Sequence, residues 1–231
     1  MISIIHDSRL PLEILRNLKK YGDCIPFHSH SVTHESLSGH PDIFLYIEGD
    51  RVIAAPNTPA EFIERLKAKG LKVRNGNTDV GDKKHNSTPY NVAGSGTCMI
   101  HHRKFTDPVI LDSLKEREFI HVSQPFTRCS LLVLEGHRGI TSDREIEKVL
   151  TGKGWTICYV RPEEILLPGV SYGFIGGCMG LYANKVFILG SLGFHPDGSR
   201  IEEFLRVSGY EIVELYRGKL FDGGSLFFTE T

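Results

Sequence analysis

The chain has 231 residues, 27 Lys and Arg against 28 Asp and Glu, 11 His, and 40% hydrophobic residues. That length buries a core without metal or disulfides, and the balanced charge gives no sign of nucleic acid or an acidic membrane as partner. The cysteines at 24, 98, 129, 158 and 178 are odd in number, widely spaced and form no C-x-x-C pair. With no secretory leader and no apolar run long enough for a bilayer, the expectation is a cytoplasmic protein with free thiols.

Read in chain order, one pattern recurs: an apolar strand, a helix with an acidic first turn, and a second strand. It starts with "ISIIHDSRLPLEILRNLKKYGDCIPF" (2–27), where Pro11 and Glu13 open a helix with Ile14, Leu15 and Leu18 on its apolar face. It returns in "RVIAAPNTPAEFIERLKAKGLKVRNG" (51–76), where Thr58, Pro59 and Glu61 predict a capped start and Gly70 a stop. "KFTDPVILDSLKEREFIHVS" (104–123) starts its helix at Asp107 and Pro108. "GITSDREIEKVLTGKGWTICYV" (139–160) uses Ser142 and Glu145, and "VFILGSLGFHPDGSRIEEFLRVSGYEIVEL" (186–215) uses Ser199 and Glu202.

In front of four of these units stands a further strand: "GHPDIFLYI", "AGSGTCMIHH", "FTRCSLLVL" and "GFIGGCMGLYA". The first unit has none before it, and "GGSLFF" near the C-terminus has no sequential partner. Laid beside Ile2–Ile5, Gly224–Phe228 would complete the first unit and close a ring, which removes exposed sheet edges. A repeat of roughly 35 to 55 residues fits such a radial array better than an open α/β sheet.

A ring of five such units resembles the pentein fold, the α/β-propeller of guanidino-group modifying enzymes such as agmatine and arginine deiminases and amidinotransferases. More narrowly, "HPDIFLYIEGDRVIAAP", "YNVAG", "GFIGG" and "DGGSLFF" resemble an uncharacterised bacterial family of that fold. The resemblance implies one α/β domain in five pseudo-repeats, at about 1–38 plus 222–231, 39–89, 90–125, 126–170 and 171–221. In the enzymes it implies a nucleophilic cysteine on the Gly-rich strand of the final unit, a proton-transferring histidine, and carboxylates that hold the planar cation. Matching the G-G-x-x-x-C pattern from Gly223 and Gly224 puts Phe228 at the cysteine, or Phe227 with a one-residue slip. Typical deiminase or amidinotransferase chemistry is thereby disfavoured.

In such a ring, the entry residues of each leading strand face the centre. These are His40 and Asp42, Asn91, Ser95, Cys98, Thr127, Arg128 and Cys129, Tyr172, Cys178, Asp222 and Ser225. His40-Pro41-Asp42 is the sharpest pairing, a histidine beside a carboxylate for acid–base work; the alternative makes Asp42 a strand-entry cap. His195-Pro196-Asp197 shows the same tripeptide in a helix-entry turn. Cys129 and Cys178 are the thiols placed to replace the missing nucleophile, although Arg128, its neighbour on a strand, would point away from Cys129. Cys158 reads as core.

His28, His30 and His34 form a histidine-rich loop that a metal could use, or a solvated surface loop. A second polar loop holds Asp79, Asp82, Lys83, Lys84 and His85. The glycine clusters lack a dinucleotide or phosphate-loop context, so no cofactor is expected. The expected function is a central pocket for a small guanidino or amidine-type ligand, with His40, Asp42 and Cys129 as the catalytic set and Asn91, Cys178, Asp222 and Ser225 as ligand-binding residues. A non-standard C–N hydrolase and a non-catalytic binding or interaction protein both stay open.

Overall fold

The computed structural model describes residues 2–83 and 86–230; Lys84 and His85 of the second polar loop lie outside them. The fold is mixed α/β, and among the described residues its strands form five three-stranded sheets and one two-stranded pair. The second sheet shows the common build. A leading strand Leu45–Glu48 turns through Gly49 into an antiparallel middle strand Arg51–Ala54. A helix, Ala60–Ala68, then carries the chain to a trailing strand Lys72–Asn75 that runs parallel to the middle one.

The third sheet repeats this with Ala93–Gly94, Cys98–His101 and Glu118–His121. The fourth has Leu131–Leu134, Arg138–Thr141 and Thr156–Tyr159, and the fifth Met179–Tyr182, Lys185–Ile188 and Glu211–Glu214. The first sheet has Ile2–Asp7 as middle and Asp23–Phe27 as trailing strand. Its leading strand is Phe227–Glu230, antiparallel to the N-terminal strand with Ile4 opposite Phe228 and Ile5 opposite Phe227. The two-stranded pair joins Ile165–Leu166 to Leu220–Phe221.

Middle strands are covered on both faces. Ile4 and Ile5 point to opposite sides of the N-terminal strand, yet both are wholly buried. One layer is the helices, whose apolar faces repeat at four-residue spacing: Phe62 and Leu66, Ile146 and Leu150, Ile201 and Leu205. No helix of the described residues is long and apolar enough to cross a membrane.

Several local expectations change. The polar entries to the leading strands are helical turns rather than strand: Pro41–Phe44, Thr127–Ser130 and Gly176–Cys178. "AGSGTCMIHH" is a hairpin, leading and middle strands joined at Ser95–Thr97, not one strand. The closing strand begins at Phe227, so Gly224 lies in the turn before it. Thr58 caps nothing: its hydroxyl donates to the Ala55 carbonyl at 2.7 Å and Pro59 occupies the cap position. The helix at 144–152 is capped by Asp143, one residue past Ser142, with Oδ1 accepting from the Glu145 and Ile146 amides at 2.8 and 3.0 Å. The last helix starts after Asp197 and places Ser199 inside it. Asp107 does cap its helix, accepting from Val109 N at 2.8 Å.

An Asp143→Ala variant should therefore lose about 1 kcal/mol in urea unfolding. Ser142→Ala should change stability by no more than about 0.5 kcal/mol; the reverse order would restore the serine cap.

His101 ends the third sheet's middle strand and ties it to the segment that leads towards the fourth sheet: Nδ1 pairs with Thr106 Oγ1 at 2.7 Å and Nε2 with the Pro125 carbonyl at 2.9 Å. Burial pushes its pKa down from 6.5 to about 4. Above pH 6.5 the ring is neutral in folded and unfolded chains alike. As pH falls from 6.5 towards 4, only the unfolded chain gains the proton, so stability is lost through that window. A difference of two to three pH units gives about 3 kcal/mol at most. Urea midpoints from pH 7 to 4 should fall less steeply in His101→Gln than in the unaltered protein; equal slopes would exclude this histidine as the cause.

Candidate functional site

The short turns before the five leading strands meet one another. Asn91 donates through Nδ2 to the Asp42 carbonyl at 3.1 Å, while its own Oδ1 accepts from Cys129 N at 3.2 Å and its carbonyl from Arg128 N at 3.0 Å. Gly176 packs on the Arg128 and Cys129 carbonyls so tightly that a Cβ there would overlap both. Ser225 N donates to Gly177 O at 3.0 Å and its hydroxyl reaches Gly176 O at 3.2 Å. The same hydroxyl donates to Asp42 Oδ2 at 2.9 Å, which links the last turn back to the second unit.

Inside these contacts sits a polar cluster. The Cys129 thiol donates to Asp42 Oδ2 at 3.1 Å and accepts from Asn91 Nδ2 at 3.1 Å. Donor atoms of His40, Asp42 and Cys129 all lie within 4.8 Å of one another, and all three residues are buried. His40 Nε2 faces Asp222 Oδ1 at 3.9 Å. Asp222 is fixed by the Phe174 amide on Oδ2 (2.8 Å) and the Gly224 amide on Oδ1 (3.1 Å). Gly224 has φ +65° and lies flat against His40, where any Cβ would collide with the histidine side chain. Both ring nitrogens of His40 and Asp42 Oδ1 are buried without a hydrogen-bond partner.

The electrostatics set the protonation. Burial, then the Asp42 charge, pushes the Cys129 thiol well above its ordinary range, so it stands as a neutral S–H at neutral pH. Burial also raises the Asp222 carboxyl, an effect that His40 opposes. Burial lowers the Arg128 guanidinium, which lies 5.2 Å from the Phe227 ring and has an unpartnered Nε. Arg128 borders a cavity of about 160 Å³ together with Tyr46, Glu48, Ser95 and Phe227.

Of the residues singled out from the sequence, His40, Asp42, Asn91, Cys129, Asp222 and Ser225 are brought together. Cys178 stands apart: its thiol donates to the Phe174 carbonyl at 3.3 Å, and burial raises its pKa strongly. Thr127 bonds the Gln124 carbonyl at 2.6 Å, Cys98 contacts Ser95 at 3.5 Å, and Tyr172 is 49% exposed. Phe228 stacks on Tyr182 and packs tilted against Phe187. In the histidine loop, His34 Nδ1 is taken by Ser36 and the rings of His28 and His30 meet edge-on at 4.5 Å. Among the described residues they do not form a converging ligand set.

Arg9 is a contributor the sequence did not mark. It grips the buried Asp7 with Nε and Nη2 (3.0 and 2.6 Å) and reaches the carbonyls of Glu35 and Ser36 at 2.5 and 3.0 Å and Ser38 Oγ at 3.1 Å. It thus anchors the segment that leads into Gly39 and His40. The only signal was an acidic residue at a strand end with an arginine two positions on.

At pH 8, a thiol reagent should modify the partly exposed Cys24 in the folded protein and reach Cys129 and Cys178 only at the rate of unfolding. Mass spectrometry of the labelled peptides reads this directly; fast labelling of Cys129 in the folded state would mean a reactive, accessible thiol.

The mixed α/β fold resembles that of solved pentein-fold structures. Similar solved structures include agmatine deiminase of C. jejuni (TM-score 0.57, 8% identity, 93% of this chain and 86% of that one). DDAH from Pseudomonas aeruginosa, a mutant complexed with citrulline, gives 0.56 at 11% identity, with 92% and 91% covered. The amidinotransferase SxtG from Microseira wollei gives 0.53 at 10%, with 92% and 87% covered. No curated protein matches the sequence. A family model spans nearly the whole chain, residues 5–227, and the protein belongs to that family of unknown function, DUF6873.

Proposed function

We propose that the five sheets are the units of a closed pentein-like ring, one domain divided as read from the sequence, and that the cluster at its centre binds a small guanidino or amidine-type molecule. The contacts from each turn to the next, through Asp42, Asn91, Arg128, Gly176 and Ser225, support the ring. One observation carries the site: His40 Nδ1 and Nε2 and Asp42 Oδ1 are buried with no partner. Each such atom costs on the order of 1–3 kcal/mol, which a purely structural centre would shed by apolar substitution.

In this reading Asp42 and Asp222 hold a planar cation from two sides, Asn91 holds Asp42 through its main-chain carbonyl, Ser225 fixes the Asp42 carboxyl group, and His40 between the carboxylates moves a proton. Cys129, a neutral thiol donating to Asp42, is a contact group rather than an activated nucleophile. The resemblance puts Phe228, or Phe227, at the enzymes' cysteine, and the turnover this reading favours is hydrolysis of a C–N bond with His40 as base. Arg128 suits a ligand that also bears a carboxylate.

Calorimetry with agmatine, arginine and simple amidines tests the site. Binding should be present in the unaltered protein and at least tenfold weaker in Asp42→Asn. Tighter binding of arginine than of agmatine would engage Arg128. No heat at millimolar ligand, or identical affinity in the variant, removes this reading.

A further inference from the structure

We propose that His40, Asp42 and Cys129 bind a divalent transition-metal ion of the zinc type. The inference rests on the reading of the cluster as a ligand site, but it assigns a ligand of a different chemical class. The donor set is a nitrogen, a carboxylate oxygen and a sulfur, from two turns 87 positions apart in the chain, with donor atoms within 4.8 Å of one another. Zinc takes this mixture, at about 2.0–2.3 Å per ligand, and harder ions such as magnesium do not. Around a tetrahedral ion, ligand atoms sit about 3.3–3.7 Å apart, so the widest separation in the cluster needs to close by about an ångström.

The second observation is which atoms are free. His40 has both nitrogens unpartnered and Asp42 has Oδ1 unpartnered, in residues with no exposed surface. The remaining atoms are held. Ser225 donates to Asp42 Oδ2 at 2.9 Å and Asn91 Nδ2 points at the Cys129 sulfur at 3.1 Å, where its N–H would support a thiolate. Asp222 lies 3.9 Å from His40 Nε2, so the same contraction would bring it to hydrogen-bond distance as the carboxylate that orients a ligating histidine, leaving Nδ1 for the ion. Binding would release the Cys129 proton, exchanging the hydrogen bond to Asp42 for a sulfur–metal bond. Three protein ligands leave a fourth position for water.

The full-length protein, without an affinity tag rich in histidine, is stripped with chelator and titrated with Co²⁺. One equivalent should produce a sulfur-to-cobalt charge-transfer band in the near ultraviolet and tetrahedral bands in the visible, and Zn²⁺ should displace both. Cys129→Ser should abolish the charge-transfer band, while Cys178→Ser, which alters a buried thiol outside the cluster, should keep it. If Cys129→Ser does not fold by circular dichroism, His40→Gln is the second probe, with at least a hundredfold loss of affinity expected. No charge-transfer band in the unaltered protein overturns the proposal, as does a band that survives loss of Cys129 or a metal lost only when His28 and His30 are replaced. Calorimetry of the organic ligands on chelator-treated protein separates the two readings. Amidine binding without any cobalt band retains the former site and rejects the metal; the converse rejects the organic ligand alone.

Discussion

A single buried oxygen, Asp42 Oδ2, receives a thiol from 87 residues away and a hydroxyl from 183 residues away. Little of this can form early, because each contact closes a long loop. Once the surrounding turns are in place, each bond is strengthened by its low-dielectric setting and costly to leave unmade. The apolar clusters stabilise individual units and their neighbours. The polar centre sets how the units stand relative to one another, since Asp42, Asn91, Cys129 and Ser225 each bond across a unit boundary.

The same burial decides the chemistry. A thiolate at Cys129 would be an unsolvated anion beside a carboxylate, and nothing among its contacts except the Asn91 amide favours it. A nucleophile of the usual kind therefore has no support here without an added positive charge. A cation, organic or metallic, is the partner that would compensate the Asp42 and Asp222 carboxylates and make use of the free lone pairs on His40. The two proposals are alternative answers to one electrostatic demand.

Much of the architecture could be read from the sequence, because strand–helix–strand units repeat with four-residue apolar spacing, as at Phe62 and Leu66 or Ile201 and Leu205. The partner of the final strand could be read for the same reason: one unit lacked a leading strand and one strand lacked a unit. Details carried by a single turn could not. "PDIF", "TRCS" and "GGC" are too short to show helical periodicity, so in the sequence Arg128 and Cys129 read as strand neighbours. Asp143 and Ser142 are both good capping residues, and only the backbone angle at Asp143 selects between them. Cys129 and Cys178 occupy similar sequence settings and separate only in space, one on Asp42 and the other on the Phe174 carbonyl. Arg9 was invisible because its role depends on a loop 26 to 29 residues later.

The turns before the leading strands also divide labour in the chain. Pairing and core packing reside in the strands and helices, whereas the central polar contacts come from one or two groups per turn: a carboxylate at Asp42, an amide at Asn91, a thiol at Cys129, bare backbone at Gly176 and a hydroxyl at Ser225. Each of these groups lies outside the strand registers, in the turn that precedes a leading strand. The short turns thus carry two duties at once, holding the sheets against one another and presenting a different polar group at each position.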